Sequence, residues 1–437
     1  MEERYSDLIV ETSEFIAERM LCDLEALFEA GSNLDGLVLE LLRAIGLKTM
    51  ARLFAGLVEP ALERVGGPNA PVERRPMVPF KTIFGEIMVE SPYVRDRETS
   101  ESSRPMLELF GIAGRSYSDR VQRALADFGS EESFRKAAAR FEEHYGWCVG
   151  RTTVLRHTEK TAEEAVEFLE ERFADAQSDY DKPLAERPGV GEMLVELDGC
   201  EIRTGVLQPA PEPGAKRVRK EEWREVRTGV AKPSGEVDPT YVSAMASYPE
   251  ICDALFSAAC LRGLSENTKV IAVGDGGNGL MEALQATLPN VQFILDVPHL
   301  KSHFFETAAA LGIEEVLRRP WVNTWMERLA AGEVDQVLDE LRTLQRDTNN
   351  DRLRRLIAYL ERFRDAVTYD HFEAQGWPCG SGEVEAAHRV VPQPRLKIVG
   401  ACWHPDNVNK MLALRVVRAN RWWDDFWAWR AARKRAA

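Results

Sequence analysis

Three apolar runs in this 437-residue chain end on acids. Met193-Leu194-Val195-Glu196-Leu197 leads into Asp198-Gly199, and Lys269-Val270-Ile271-Ala272-Val273 into Gly274-Asp275-Gly276-Gly277. Val291-Gln292-Phe293-Ile294-Leu295 leads into Asp296-Val297-Pro298-His299. Short apolar runs rich in β-branched residues and closed by Gly and Asp read as buried strands ending in turns. Each then carries a carboxylate at its C-terminal end, the edge where open α/β sheets build their sites. Carboxylates converging from separate elements are what two-metal phosphoryl transfer needs, because they hold Mg²⁺ ions roughly 3.5–4 Å apart. Mg²⁺ takes hard oxygen ligands and keeps several waters, so two or three acids suffice. Asp-Gly is also ordinary turn chemistry. A nucleotide loop at Gly274–Gly279 is the other reading, but its glycines do not fit G-x-G-x-x-G and no G-K-[ST] follows.

A third acid lies in the stretch 376–403. Gly380-Ser381-Gly382 is a sharp turn into a helix beginning near Glu383, and Ala386 and Ala387 are small enough to let that helix lie close to a sheet. Glu383 and Glu385 are two positions apart and point about 200° apart around the helix axis, so both cannot face one site. Glu383 falls in the first turn, where a carboxylate complements the helix dipole. Glu385 sits beside Val384, Ala386 and Ala387 without such a reason.

Stepping outward to the elements that position these acids, residues 186–300 read as three strands, helix, strand, helix, strand. The first pair of strands is expected over Met193–Leu197 and Ile202–Leu207. A Pro-rich basic loop with Lys216, Arg217, Arg219 and Lys220, expected to contact DNA, follows, then strand-like runs at Trp223–Ala231 and Tyr241–Ser247. An antiparallel trio followed by α/β units is the ribonuclease-H-like order. Residues 301–375 read as an inserted helical region and 376–437 as the completion of the core. The region 1–70 is expected to form two or three helices with a packing or oligomerisation role.

Residues 71–185 hold a β-hairpin around Phe84-Gly85-Glu86, a polar linker at Glu98–Pro105, and further helices. Within them, a helix over Phe134–Phe141, a turn at His144–Gly150 and a helix opened by Arg151-Thr152-Thr153 and Arg156 form a helix-turn-helix pattern. Those side chains suit phosphates and base edges; the same spacing also describes an ordinary αα-hairpin. The tail from 411 to 437 mixes tryptophans and arginines, which suits either a nucleic-acid contact or a core helix with a solvated basic end.

The fold class is therefore α/β, a ribonuclease-H-like core with a helical insertion behind mainly helical DNA-binding regions. Net charge is −15, which argues against indiscriminate nucleic-acid binding. The first 70 residues are acidic and residues 386–437 basic, an asymmetry that suggests a basic surface on an acidic body. The seven cysteines form no C-x-x-C pair, which excludes zinc knuckles and points to reduced thiols. No apolar run is long enough for a membrane span, and the amino end lacks a signal-peptide core, so a cytoplasmic location is expected.

In this order, Asp198-Gly199, Val273-Gly274-Asp275-Gly276, Ile294-Leu295-Asp296-x-x-His299, Gly380-Ser381-Gly382-x-Val384-Glu385-Ala386, Arg395-Leu396-Lys397 and Trp403 resemble a bacterial insertion-sequence DDE transposase. The likeness is greatest to the Kra-type group, distantly allied to Mutator-like transposases, and covers roughly residues 75–430. It implies Mg²⁺- or Mn²⁺-dependent DNA cleavage and strand transfer, with Asp198, Asp275 and Glu385 as metal ligands. It also implies a histidine near the site at His299, DNA contacts at Arg395 and Lys397, and partners comprising terminal inverted repeats, target DNA and further copies of the chain. A catalytically inactive, DNA-binding descendant is the alternative. The chain departs from the group at Gly276-Gly277-Asn278-Gly279, where a bulkier segment is expected, and in its acidic net charge.

Overall fold

A computed structural model describes residues 3–66, 71–95, 102–184, 186, 189–210, 212 and 216–436. It is a mixed α/β protein that divides into two compact units, Met1–Leu125 with Ala138–Val149, and Ala126–Ala137 with Gly150–Ala437.

In the first unit, helices Ser6–Leu21 and Leu24–Ala30 bury no side chain, whereas Leu34–Gly66 is packed. Phe54, Val58, Ala61 and Leu62 of that long helix meet Val78, Phe80, Ile87 and Val89 of the hairpin Met77–Thr82/Gly85–Glu90. Thr82 pairs with Gly85, so the tight turn is Ile83-Phe84 and not Gly85-Glu86. The indole Nε1 of Trp147 donates to Ile83 O at 3.1 Å. Of the polar linker expected at 98–105, residues 98–101 lie outside the described residues.

The second unit is organised by a five-stranded sheet, with β1 Glu192–Leu207, β2 Arg219–Pro233, β3 Thr240–Ala244, β4 Lys269–Gly274 and β5 Val291–Leu295. The spatial order is β5-β4-β1-β2-β3. β4 runs parallel to both β1 and β5, while β1–β2 and β2–β3 are antiparallel. Buried parallel strands need apolar residues on both faces, and Val270–Val273 and Met193–Leu197 supply them.

One expectation is corrected here: Met193–Leu197 and Ile202–Leu207 are a single strand, and Asp198-Gly199 lies inside it. Asp198 pairs with Thr228 and Gly199 with Arg227 without a break. Gly199 serves close approach, not a turn, since a Cβ there would lie 2.3 Å from Glu225 Oε1. Arg219 and Lys220 correspondingly belong to the start of β2 and not to a loop.

Helices α1 Arg151–Tyr180, α2 Tyr248–Leu261, α3 Leu280–Thr287, α4 Val297–Ala310, α5 Glu315–Ala330, α6 Val334–Thr348 and α7 Asp351–Arg362 follow the chain order. Leu329, Leu338, Leu341, Leu353, Leu356 and Leu360 of α5–α7 share one core with β4 and β5. After them come α8 Gly382–Val390, α9 Val408–Ala419 and α10 Trp423–Ala436. The tail is two helices where one was expected, broken where Arg421 takes a φ of 61°. α1, α9 and α10 enclose a second core with Ile202, Val226 and Trp403.

Candidate active site

β1 and β4 lie side by side and parallel, with Glu196 opposite Val273. Asp198 and Asp275 each stand two residues further on, so the two acids are level with one another where β4 ends, Asp198 lying within the longer β1. Asp198 Oδ1 accepts from Gly199 N at 2.7 Å, and Asp275 Oδ1 from Gly277 N at 2.8 Å. Tyr359 of α7 donates its hydroxyl to Asp275 O at 2.6 Å. Burial raises the pKa of Asp198 and the charge of Asp275 adds to the rise, while His388 and His299 oppose it. Two acids that feel each other's charge favour any nearby cation.

β5 supplies the next acid. Asp296 is fully buried and caps α4, accepting His299 N at 2.9 Å and His299 Nδ1 at 2.6 Å on Oδ2. Its Oδ1 accepts Ser381 N at 2.8 Å and Ser381 Oγ at 3.0 Å. Burial pushes the Asp296 carboxyl up, but these donors outweigh it and hold it below the usual range. The pKa of His299 is raised by Asp296, against its own burial, and by Asp275 and Asp198. Because Nδ1 is committed to Asp296, Nε2 is the nitrogen left to exchange a proton.

The same Ser381 caps α8, and a second buried acid holds that helix's first turn. Glu196 is 1% exposed, and its Oε2 accepts Val384 N at 2.8 Å. Burial lifts its pKa to about 7, with the charges of Glu383 and Asp296 adding to the rise. β1 and β5 thus grip the first turn of α8 through Glu196 and Asp296. Glu383 pairs with Lys232 of β2 at 2.5 Å. Glu385 is exposed, and its charge reaches His388, three residues on. The buried His388 ring has Nε2 3.3 Å from Asp198 O and Nδ1 3.9 Å from Asp198 Oδ2. Burial lowers the His388 pKa.

Glu196, His388 and Tyr359 were not anticipated from sequence. Two signals exist: Glu196 is the one acid inside an apolar strand, and His388 lies at i+3 from Glu385, on the same helix face. Among the described residues, no group of three or more His, Cys, Asp or Glu is assembled to hold a metal ion. Asp198 and Asp275 are a pair of hard oxygen donors that fits Mg²⁺ or Mn²⁺, with waters completing the shell; Glu385 is not grouped with them.

No family model matches the chain, and no curated protein matches it.

The residues expected to touch DNA fall into three groups. Arg151, Thr152 and Arg156 are exposed and Thr153 half-buried at the start of α1, a 30-residue helix whose apolar side packs in the second core. Lys216, Arg217, Arg219 and Lys220 are exposed beside the β1–β2 hairpin's outer end, and Lys397 is exposed with its charge felt at His388. Arg395 is the correction. It is 3% exposed and donates Nε to Gly129 O at 2.8 Å. Its guanidinium lies 4.5 Å from the Phe134 ring centre and 4.6 Å from that of Trp403. Burial lowers its pKa to about 10, with Arg415 adding to the effect. Its guanidinium is a buried core group and not part of the exposed basic surface.

The basic tail is likewise not a free basic surface. Lys410 pairs with Glu163, Arg430 with Glu164, Arg433 with Glu167 and Glu171, and Arg415 with Glu131. Acids of α1, together with Glu131, pair with these cations, and Trp423, Phe426 and Trp427 are buried.

Proposed function

We propose that this protein is a metal-dependent DNA-cleaving and strand-transferring enzyme of the DDE transposase kind, built on a ribonuclease-H-like core. The observation that carries the reading is that Asp198 and Asp275 stand at matching positions on adjacent parallel strands, level with the C-terminal end of β4 and within each other's electrostatic reach. The sheet order, with an antiparallel trio continued by two parallel strands, supports the core assignment.

A divalent cation between these aspartates would neutralise the phosphodiester and make an attacking water or 3′-hydroxyl more acidic. The chain's own groups do the remaining work. Asp198 and Asp275 bind, each held in place by a backbone N–H. The buried His388 fixes the Asp198 strand position from α8. His299, oriented by Asp296, is placed to take or return a proton at Nε2. Glu385 would join from α8, whose first turn Glu196 and Asp296 set. Self-association belongs to the same reading, supported by apolar side chains left on the first helices, such as Phe28 at 79% exposure.

The test is nicking of supercoiled plasmid carrying the DNA that flanks the gene, with Mg²⁺ or with EDTA. Wild-type protein is expected to nick only with Mg²⁺, and Asp198→Asn and Asp275→Asn to lose at least a hundredfold in rate, on the order of 3 kcal/mol of transition-state stabilisation. Undiminished nicking in either variant would remove the assignment. The separation of Glu385 from the aspartates favours a second reading, a non-cleaving descendant, which predicts DNA binding without nicking.

A further inference from the structure

The outer part of the β1–β2 hairpin leaves the sheet. β4 pairs with β1 only over Glu192–Glu196, and β3 with β2 only over Arg227–Ala231. Beyond Gly205, whose N–H donates to Trp403 O at 2.8 Å, Val206–Leu207 and Arg219–Lys220 have only each other as strand partners among the described residues. Directly opposite residues in an antiparallel pair share a face. One face therefore carries Arg203 with Trp223 and Leu207 with Arg219, and the other Val206 with Lys220. Trp223 is 66% exposed, Val218 63% and Leu207 53%. On these two strands Glu221 pairs with Arg203 and Glu222 with Arg224. Lys216, Arg217, Arg219 and Lys220 form no ion pair among the described residues, in a chain whose net charge is −15.

We infer that this ribbon is an arm that enters the major groove of duplex DNA, an inference that rests on the proposed action on DNA. Cations on both faces and beside the tip suit a cleft with phosphates on both walls, not a flat protein surface. The B-form major groove, about 12 Å wide, admits a two-stranded β-ribbon. The A-form RNA major groove is too deep and narrow for side chains to read. Trp223 supplies an aromatic face for contacts with thymine methyl groups or sugars. The ribbon grows out of β1, the strand that carries Asp198.

The experiment is anisotropy of a labelled DNA duplex against salt, with EDTA present so that cleavage plays no part. The full-length protein is compared with a variant carrying Lys216→Gln, Arg217→Gln, Arg219→Gln and Lys220→Gln, and with one carrying Arg217→Lys and Arg219→Lys. Each phosphate contact contributes about 0.9 to the slope of log K against log salt. The glutamine variant should lose about three to four in slope and bind more than tenfold more weakly at low salt, while the lysine variant keeps the wild-type slope. Trp223 fluorescence should change on binding, and an RNA duplex of the same sequence should bind at least tenfold more weakly. Equal slopes for wild type and the glutamine variant would overturn the arm while leaving the DNA reading intact. Equal binding of the RNA duplex would overturn the groove assignment. No binding of DNA by the wild type would overturn both this inference and the reading beneath it.

Discussion

Replacing Glu196 by Gln isolates the buried acid that holds the start of α8. Glutamine keeps the size and one acceptor oxygen for the Val384 N–H, so the hydrogen bond at 2.8 Å can persist. What it removes is the titration. Burial moves this carboxyl from its ordinary 4.5 to about 7. At 1.36 kcal/mol for each tenfold change in proton affinity, that is worth about 3 kcal/mol. The folded protein binds the proton more tightly than the unfolded chain. This contribution is therefore fully present below pH 4.5 and is lost as pH rises through about 7. Asp198 and His299, both raised, lose stability in the same direction, so only the difference between wild type and variant reports Glu196. Urea unfolding at several pH values from 4.5 to 8 measures it. The stability of Glu196→Gln relative to wild type should climb by about 3 kcal/mol across that range. Parallel curves would mean that Glu196 is ionised in the fold at neutral pH and that its burial does not raise its pKa.

Other perturbations bear on neighbouring parts of the site. Asp296→Asn turns an amide N–H₂ toward donors and loses about two charge-assisted hydrogen bonds, so it should destabilise by about 3–5 kcal/mol; NMR titration should find the His299 pKa lowered from its raised value. Glu383→Gln weakens the pair with Lys232 and should retain most nicking, whereas Glu385→Gln should stay folded and lose it; the reverse pattern in the plasmid assay would put the site on the other face of α8. Arg430→Met leaves Glu164 without its buried partner and should destabilise by about 3–5 kcal/mol in denaturant unfolding, with no effect on metal affinity.

The unit β4–α3–β5 was legible because each strand is a short apolar run punctuated by glycine and aspartate, and local signals suffice for such elements. The helices over 301–375 were legible for the same reason, their leucines recurring at helical spacing. β1 was not, because Asp198-Gly199 carries a turn's composition. Only the partner strand, whose Glu225 side chain lies over Gly199, reveals that the glycine serves packing. Glu196 and Asp296 could be seen as acids, but their holds on Val384 and Ser381 span 188 and 85 residues of chain. Charge was misleading where pairing decides the outcome. The basic tail suited a nucleic-acid contact or a core helix equally in composition, and its ion pairs with α1 are visible only in the fold. Arg395 sat in a basic motif yet is stacked between Phe134 and Trp403.

The central claim, that Asp198 and Asp275 together hold a divalent cation, is tested most directly by crystals grown with Mn²⁺ and measured for anomalous scattering. The account predicts a peak between the two carboxylates in wild-type protein that disappears in Asp275→Asn. A wild-type map with no peak there, or one that survives the substitution unchanged, would contradict it.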